Sequence, residues 1–344
     1  MTKKNFVLRI IFSLLYPLIR VLESDLFLCK IIRIQKMRNT VTLGLLVSLV
    51  FSGSLALAQQ DPQFSQNMFA KLAVNPGFAG ANDAICATLL YRNQWTGFGG
   101  EPKTMLFTGD LPLDLLHGGV GLSVYASDGL GFEKNLNFRG SYAYRLDLGA
   151  GQLGIGADVG YHQKSIDGSK FIFNDLGDNS IPSNNLSGGA LDLGFGLYYN
   201  SDRLYAGISS SHLSEGSIKY NNITSKMARH YYLMAGYNVD LTAALTLKPS
   251  MLVKSDAVST QADFNANLMI NNKYWVGASY RLQDAIVLMA GLEILPNLKF
   301  GYSYDLTTSD IKTYSSGTHE VMLNYCFKPN KVVKRQFHRN VRFL

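Results

Sequence analysis

The chain has 344 residues and a formal charge of +7, from 32 Lys and Arg against 25 Asp and Glu. The basic excess lies at the two ends, because residues 59–327 alone hold 18 basic and 23 acidic residues. A nucleic-acid-binding body needs a basic face within its fold, so the charge distribution gives no support for that class. Three cysteines without a CxxC motif exclude a disulfide scaffold and indicate no zinc site, and we expect no metal and no cofactor.

Residues 37–58 have the pattern of a signal peptide. A basic start at Met37-Arg38 is followed by an apolar stretch from Leu43 to Val50 and by the cleavage motif Ala56-Leu57-Ala58. The alternative is a membrane anchor, for which the apolar stretch is short. We therefore predict an exported protein, and no Cys follows the apolar stretch to suggest a lipid anchor.

Residues 1–36 contain a second apolar patch that is too short to span a bilayer. We interpret them as a non-native upstream extension, with Met37 as the true start of translation. The alternative is an unusually long basic region before the signal peptide. In either case we expect the mature chain to begin at Gln59 or Gln60, because small residues precede them.

From residue 84 to residue 327 the dominant signal is alternation with period two. Apolar residues occupy every second position in segments such as 153–161, 298–304 and 321–327, with Gly or polar residues between them. Successive strand side chains point to opposite faces, so each segment has one apolar face and one polar or small face. Residues 59–83 precede this region and are assigned to the periplasm or to the lumen of the fold.

These segments predict an all-β fold, a transmembrane antiparallel up-and-down barrel of about 14 strands. Most are near the roughly 9–11 residues that a tilted membrane strand needs, and an even count places both termini on one side, here the periplasm. The predicted strands are 84–93, 103–111, 118–127, 134–147, 150–162, 189–200, 203–210, 229–240, 243–254, 260–271, 273–282, 285–294, 297–306 and 318–327.

The links between the predicted strands alternate between tight turns and longer loops. Those at 148–149 and 295–296 are tight, whereas those at 163–188 and 211–228 are long. Short periplasmic turns and longer external loops are typical of outer-membrane barrels. A soluble β-sandwich would also alternate, but so many ten-residue strands with Tyr and Phe at their ends favour the membrane barrel.

The polar face of the predicted strands would line the lumen and carries charges of both signs. We interpret these charges as neutralising one another in ion pairs, since a ring of one sign would instead indicate an ion-selective channel. The candidates are Arg139, Arg145, Asp158, Asp192, Lys248, Lys254, Asp263, Glu293, Lys299, Asp305 and Glu320.

Motifs that would indicate an enzyme are weak. The segment 149–154 matches GxGxxG, but a predicted strand follows it where dinucleotide binding requires a helix, so we predict a tight turn. A barrel hydrolase would pair a Ser with His162 or His212, and nothing in the spacing singles out such a pair. The Asp and Asn residues near 178–185 fit no calcium-loop rule and are interpreted as a solvated loop.

Cys86 lies near the start of the first predicted strand, and Cys326 lies near the end of the last. A closed barrel makes these two strands antiparallel neighbours, and the alternation turns both side chains inward. Directly opposed residues have Cα atoms roughly 4.5–5.5 Å apart, and a periplasmic location permits a disulfide. We predict that the two residues are close, and either a disulfide or two inert thiols is compatible with that.

Seven short segments along the chain form a recognisable series. They are QDPQFSQ at 60–66, NPGFAG at 75–80, YRNQWTGF at 91–98, PKT at 102–104, FIFND at 171–175, FGLYY at 195–199 and NVRFL at 340–344. In this order they resemble the PorP/SprF family of outer-membrane proteins from the type IX secretion and gliding-motility machinery. The family more often has Ala-Tyr where Gly77-Phe78 stand and Pro where Val341 stands.

The resemblance implies a non-enzymatic barrel in the cell outer membrane, in contact with its lipid, that helps export cargo proteins or holds them, large adhesins among them, at the cell surface. It also implies periplasmic secretion or motility proteins as partners. Trp95 and Phe98 in the first outer loop are candidate docking residues, or they pack over the barrel mouth. A basic periplasmic tail, 328–344, is either solvated or binds acidic partner surfaces through Lys331, Lys334, Arg335, Arg339 and Arg342.

The main alternative function is a passive channel for small or apolar solutes. A hydrolase is the third hypothesis.

Overall fold

The structure is a computed structural model, and it describes residues 61–97, 99–129, 131–170, 184–220 and 223–329. The predicted upstream extension and signal peptide lie outside these ranges. So do Phe98, residues 171–183 and the five tail residues proposed as partner-binding candidates.

The described chain is built almost wholly of antiparallel strands, as predicted. The strands are β1 (Ile85–Asn93), β2 (Lys103–Leu113), β3 (Gly118–Gly129), β4 (Glu133–Leu148), β5 (Gly151–Ile166), β6 (Leu186–Ser201), β7 (Leu204–Ser211), β8 (Ser217–Tyr220), β9 (Ile223–Lys226), β10 (His230–Tyr237), β11 (Val239–Thr242), β12 (Leu245–Ser255), β13 (Thr260–Ile270), β14 (Tyr274–Arg281), β15 (Ala285–Leu295), β16 (Leu298–Thr307) and β17 (Thr318–Phe327).

Fourteen of these strands form a closed barrel in sequence order. Two pairings complete the ring, β10 with β12 and β1 with β17. The short strand β11 prolongs β10 beyond Asn238 and also pairs with β12, while β8 and β9 form a separate hairpin in the loop after β7. The predicted up-and-down barrel and its strand count are therefore confirmed.

Helical structure in the described ranges is limited to single turns. One α-helical turn spans Lys71–Val74, and 3-10 turns span Asn67–Phe69, Pro76–Phe78, Asp114–Leu116, Gly168–Lys170 and Asp310–Thr313. Within those ranges, no helix combines the length and the hydropathy needed to cross a membrane.

The two ends of the barrel differ in their connections. At one end, called here the short-turn end, the links after β4 and β6 have two residues each, 149–150 and 202–203. Gly149 has a positive φ of 60°, as a tight hairpin turn requires, and β5 follows it directly, which agrees with the turn predicted for the GxGxxG match. At the other end, the long-loop end, the links after β5 and β7 run from 167 to 185 and from 212 to 229.

The outer surface of the barrel is apolar and the inner surface is polar or small. On β1, Leu89 and Tyr91 are exposed, while Leu90 and Arg92 between them point inward and are buried. The same alternation holds on β17, where Leu323 is exposed and Glu320 and Met322 are fully buried. The predicted orientation of these strands is thus confirmed, and a band of exposed Leu, Tyr, Phe, Val and Ile faces outward, where lipid would lie.

The first and last strands meet as the topology requires, and their register pairs Cys86 with Cys326. The two Cα atoms are 4.1 Å apart, and the two sulfur atoms form a disulfide in the structure. The bond lies at the short-turn end and joins residues that are 240 positions apart in the chain.

We predict that the mature protein carries this disulfide. The Cys86→Ser variant should lower the free energy of unfolding by up to about 5 kcal/mol, because a cross-link over so long a loop restricts the unfolded chain. The Cys86→Ser/Cys326→Ser double variant should lose the same amount, since either change removes one bond. Peptide mapping without reductant checks the claim, and two alkylatable thiols in the folded protein would contradict it.

Candidate functional site

The lumen contains the N-terminal segment of the described chain. This segment, Asp61–Ala84, is called the plug below. It begins near the long-loop end and runs through the lumen, forming three single helical turns on the way. At the short-turn end it continues into β1. Gln66, Asn75 and Ala79 are fully buried, which shows how closely the plug fits the barrel wall.

Apolar side chains of the plug pack against inward-facing apolar residues of the wall. Phe64 and Ala70 form one cluster with Leu90, Trp275 and neighbouring wall residues. Towards the short-turn end, a second cluster joins Leu72 and Phe78 of the plug to Ala143, Tyr198 and Met234 of the wall. The rings of Phe78 and Tyr198 meet edge to face, with centroids 5.2 Å apart.

Glycines on the inner face of β5 and β6 make the room that the plug backbone occupies. At Gly156 a Cβ atom would overlap the backbone of Pro76 and Gly77, and at Gly196 it would overlap the Asn75 side chain. Asn75 in turn donates from Nδ2 to the Leu197 carbonyl at 3.0 Å. The small residues that alternate along these strands therefore form the seat of the plug.

A buried ionic network crosses the lumen between the plug and five strands, β1, β13, β14, β16 and β17. Arg281 contacts Asp263 and Asp305 at 3.2 and 2.9 Å, and Arg92 contacts Asp305 and Glu320 at 2.8 and 3.1 Å. Each of these side chains is at most 3% exposed. Buried charges are tolerated when they are paired and hydrogen-bonded, and here each carboxylate has an arginine partner.

The plug backbone completes this network. Glu320 accepts hydrogen bonds from the backbone N–H groups of Ser65 and Gln66, both at 2.8 Å. The Ser65 hydroxyl donates to Asp305 at 2.7 Å and accepts from Arg92 at 2.8 Å. Removing the plug would thus leave two buried carboxylates without part of their hydrogen bonding.

Closer to the short-turn end, two arginines of β4 donate hydrogen bonds to carbonyl groups of the plug. Arg139 donates to the Ala73 carbonyl at 3.3 Å, and Arg145 donates to the Phe78 and Ala79 carbonyls at 3.2 Å each. Both residues were predicted to line the lumen, and the structure assigns them a contact that alternation alone could not predict.

At the long-loop end, Asp61 lies in a cluster of titratable side chains. Its carboxylate is 3.0 Å from Nε2 of His212 and 2.7 Å from the Tyr232 hydroxyl. The other ring nitrogen of His212 is 2.9 Å from Asp192, and Arg139 lies 3.7 Å from Asp192. Because carboxylates face both ring nitrogens of His212, this histidine is not arranged to activate a serine.

Cavities remain on both sides of the plug. One of about 320 Å³ lies at the long-loop end, lined by Asp61, His162, His212 and His230 among others. Another of about 220 Å³ lies at the short-turn end, beside Lys71, Tyr205 and Lys248. A cavity of only about 50 Å³ lies by Phe64 and Ala70, within the packed waist of the plug. The lumen is therefore divided by the chain's own N-terminal segment.

The predicted ion pairing of the lumen charges is present in the structure for Arg139, Asp192, Asp263, Asp305 and Glu320. Arg92 and Arg281, the two cations at the centre of the network, were not among the predicted lumen charges. The alternation along the strands indicates that both point inward, since the residue before each of them, Tyr91 or Tyr280, faces outward.

Trp95 is half-buried at the long-loop end, where its backbone N–H donates to the Thr318 hydroxyl at 3.0 Å. The neighbouring Thr96 exchanges backbone hydrogen bonds with residues 316 and 317. The first loop is thus tied to the last one. Asn184 and Asn185 are exposed, as expected for a solvated loop.

A closed barrel with an apolar outer face and a lumen filled by its own N-terminal segment defines a membrane β-barrel with an internal plug. A family model described as "Type IX secretion system membrane protein PorP/SprF" matches residues 56–325. The chain therefore belongs to the PorP/SprF family, as the sequence motifs predicted, and it is an outer-membrane protein.

No curated protein matches the chain. Among solved structures it is similar to Omp33 of Acinetobacter baumannii, with 13% identity, a TM-score of 0.40, and coverage of 71% of this chain and 96% of that one. For the CymD monoaromatic hydrocarbon channel, the identity is 12%, the TM-score 0.46 and the coverage 75% and 92%. For the toluene transporter TbuX of Ralstonia pickettii, the values are 11%, 0.40, 71% and 88%.

Proposed function

We propose that this protein works by binding other proteins within the type IX secretion machinery, and that it helps to export cargo such as large adhesins or to hold it at the cell surface. The observation that carries the proposal is the plug. The lumen is filled by packed apolar side chains and by a buried ionic network, so the ends of the barrel are the surfaces available for binding other proteins.

The proposed orientation follows the usual pattern of outer-membrane barrels, with long loops outside and short turns in the periplasm. Cargo would then meet the long-loop end, where the first and last loops are joined through Trp95 and Thr96. An ordered surface with an aromatic anchor suits protein binding, because aromatic side chains supply much of interface energy. Phe98 is proposed as part of the same surface.

Strand β17 ends at the short-turn end, so the basic tail that follows it would lie in the periplasm. We propose that Lys331, Lys334, Arg335, Arg339 and Arg342 bind an acidic surface of a periplasmic secretion or motility protein. Such binding should weaken with salt, since the Debye length is only about 8 Å at physiological ionic strength.

Deleting the gene tests the proposal. We expect at least one large protein to disappear from the cell surface or the medium, while the cell envelope stays intact, as measured by quantitative surface and secreted proteomics. Complementation with the full chain should restore export, and a chain ending at residue 328 should fold but recover less of the periplasmic partners at low salt.

An unchanged surface and secreted proteome would contradict the proposal. A clear flux of small solutes through the purified wild-type protein in liposomes would favour the alternative, a passive outer-membrane channel.

A further inference from the structure

Three potential metal ligands meet where the plug enters the barrel. Asp61 of the plug, His212 after β7 and His230 at the start of β10 each offer one ligand atom, and the three atoms lie within 4.8 Å of one another. Both histidines are buried, with 3% and 2% of their surface exposed. The three residues come from separate parts of the chain, so the fold alone brings them together.

Each ligand atom is supported from behind, as in known metal centres. Nδ1 of His230 donates to the Ala228 carbonyl at 3.0 Å, so the lone pair lies on Nε2, which accepts a hydrogen bond from the Asp61 backbone N–H at 3.4 Å. Nδ1 of His212 is 2.9 Å from the buried carboxylate of Asp192, which leaves Nε2 towards Asp61. A histidine that contacts a carboxylate or a carbonyl through its second nitrogen is the usual arrangement around a bound metal.

The carboxylate of Asp61 is oriented in the same way. Its Oδ2 accepts a hydrogen bond from the Tyr232 hydroxyl at 2.7 Å, while Oδ1 faces Nε2 of His212 at 3.0 Å. The neighbouring cations approach other atoms, since Arg139 is 3.9 Å from Oδ2 and Lys254 donates to the Asp61 carbonyl at 3.1 Å. Oδ1 is therefore the carboxylate oxygen that contacts the His212 ring.

We propose that Asp61, His212 and His230 bind a divalent transition-metal ion of the zinc class, with Asp192, Tyr232 and the Ala228 carbonyl as the outer partners. Two imidazoles and one carboxylate are a known donor set for such ions. Bonds of about 2.0–2.1 Å in a tetrahedron place ligand atoms about 3.4 Å apart, so the three atoms need to close by at most about 1.5 Å.

The cavity beside the cluster completes the site. Its volume of about 320 Å³ leaves room for a water or an anion as a fourth ligand, and it is also lined by His162. Because Asp61 belongs to the plug, His212 to the loop after β7 and His230 to β10, the metal would fasten the beginning of the described plug to the barrel.

The test is a metal titration of the purified mature protein in detergent after treatment with a chelator. Co²⁺ serves as the probe because a site of low coordination number gives it visible absorption, and Zn²⁺ is then added as a competitor. We expect one Co²⁺ per chain, displaced by one Zn²⁺, with proton release on binding. No stoichiometric binding at micromolar metal by the folded wild-type protein would overturn the proposal and leave an ion-pair cluster only.

Variants separate this site from adventitious binding. His230→Ala should weaken Zn²⁺ binding at least 100-fold, and Asp192→Asn should weaken it roughly 10- to 100-fold, because loss of an outer partner has that effect. The matched control is His319→Gln, since His319 contacts Tyr302 away from the lumen and should leave the affinity unchanged. Heat-modifiable gel migration reports whether each barrel is folded. Equal affinity in the His230→Ala variant and the wild type would also overturn the proposal.

Discussion

Deleting residues 61–82 is expected to turn a barrel that carries almost no ion current into an open pore. The plug divides the lumen between cavities of about 320 and 220 Å³, and its removal would join them into one path. We expect the single-channel conductance in planar bilayers to rise by about tenfold or more, because barrels approaching the size of porins leave a water-filled interior when nothing fills it.

Point variants test the same prediction without shortening the chain. Gly156→Val places a side chain where the plug backbone lies, so it should loosen the plug and produce frequent openings. Gly140→Val is the matched control, because a Cβ atom at Gly140 meets no other atom within 4 Å. A wild-type protein that conducts as well as the deletion variant would contradict the claim that the plug closes the lumen.

Replacing Glu320 by Ala is expected to cost about 3–5 kcal/mol in the free energy of unfolding, the usual loss when one partner of a buried ion pair is removed. Glu320 is fully buried, pairs with Arg92 and accepts two backbone hydrogen bonds from the plug. The change would remove one of the negative charges that pair with the buried Arg92 guanidinium. It would also leave the backbone N–H groups of Ser65 and Gln66 without their acceptor.

Urea unfolding of the purified barrel, followed by tryptophan fluorescence, measures this loss. Asp240→Ala is the control, since Asp240 forms a salt bridge with Arg203 at 3.9 Å on an exposed surface and should contribute little. Equal unfolding midpoints for the Glu320→Ala and Asp240→Ala variants would show that the network does not hold the plug.

The barrel could be predicted from the sequence because its main determinant is local. Alternation along each strand follows from the two faces of a sheet, and it gave the strand count, the inward direction of Glu320 and the pairing of the first and last strands. The bounds shifted by a few residues, most at β5 and β6, which extend past the predicted ends to Ile166 and back to Leu186. These extensions lie at the long-loop end, where residues predicted to be in the loop continue the pairing between β5 and β6.

The plug could not be predicted from alternation, because its position depends on contacts between residues far apart in the chain. Glu320 binds the backbone of Ser65 and Gln66 across about 255 positions, and no local pattern indicates such a pair. The glycines at 154 and 156 were interpreted only as small residues between the apolar ones of an alternating segment, although together with Gly196 they form the seat of the plug. The cluster of Asp61, His212 and His230 was missed for the same reason, since the histidines appear scattered in the sequence.

The position of the plug's partners also sets an order for assembly. Asp305 lies on β16, and Glu320 and Cys326 lie on β17, so the carboxylates that receive Ser65 and the sulfur that joins Cys86 all belong to the last two strands. Without these two strands, the chain can neither close the barrel between β1 and β17 nor bind the plug in the lumen. The plug thus reaches its final position only when β16 and β17 do. In an incomplete chain, the plug and its partner strands stay exposed to quality control.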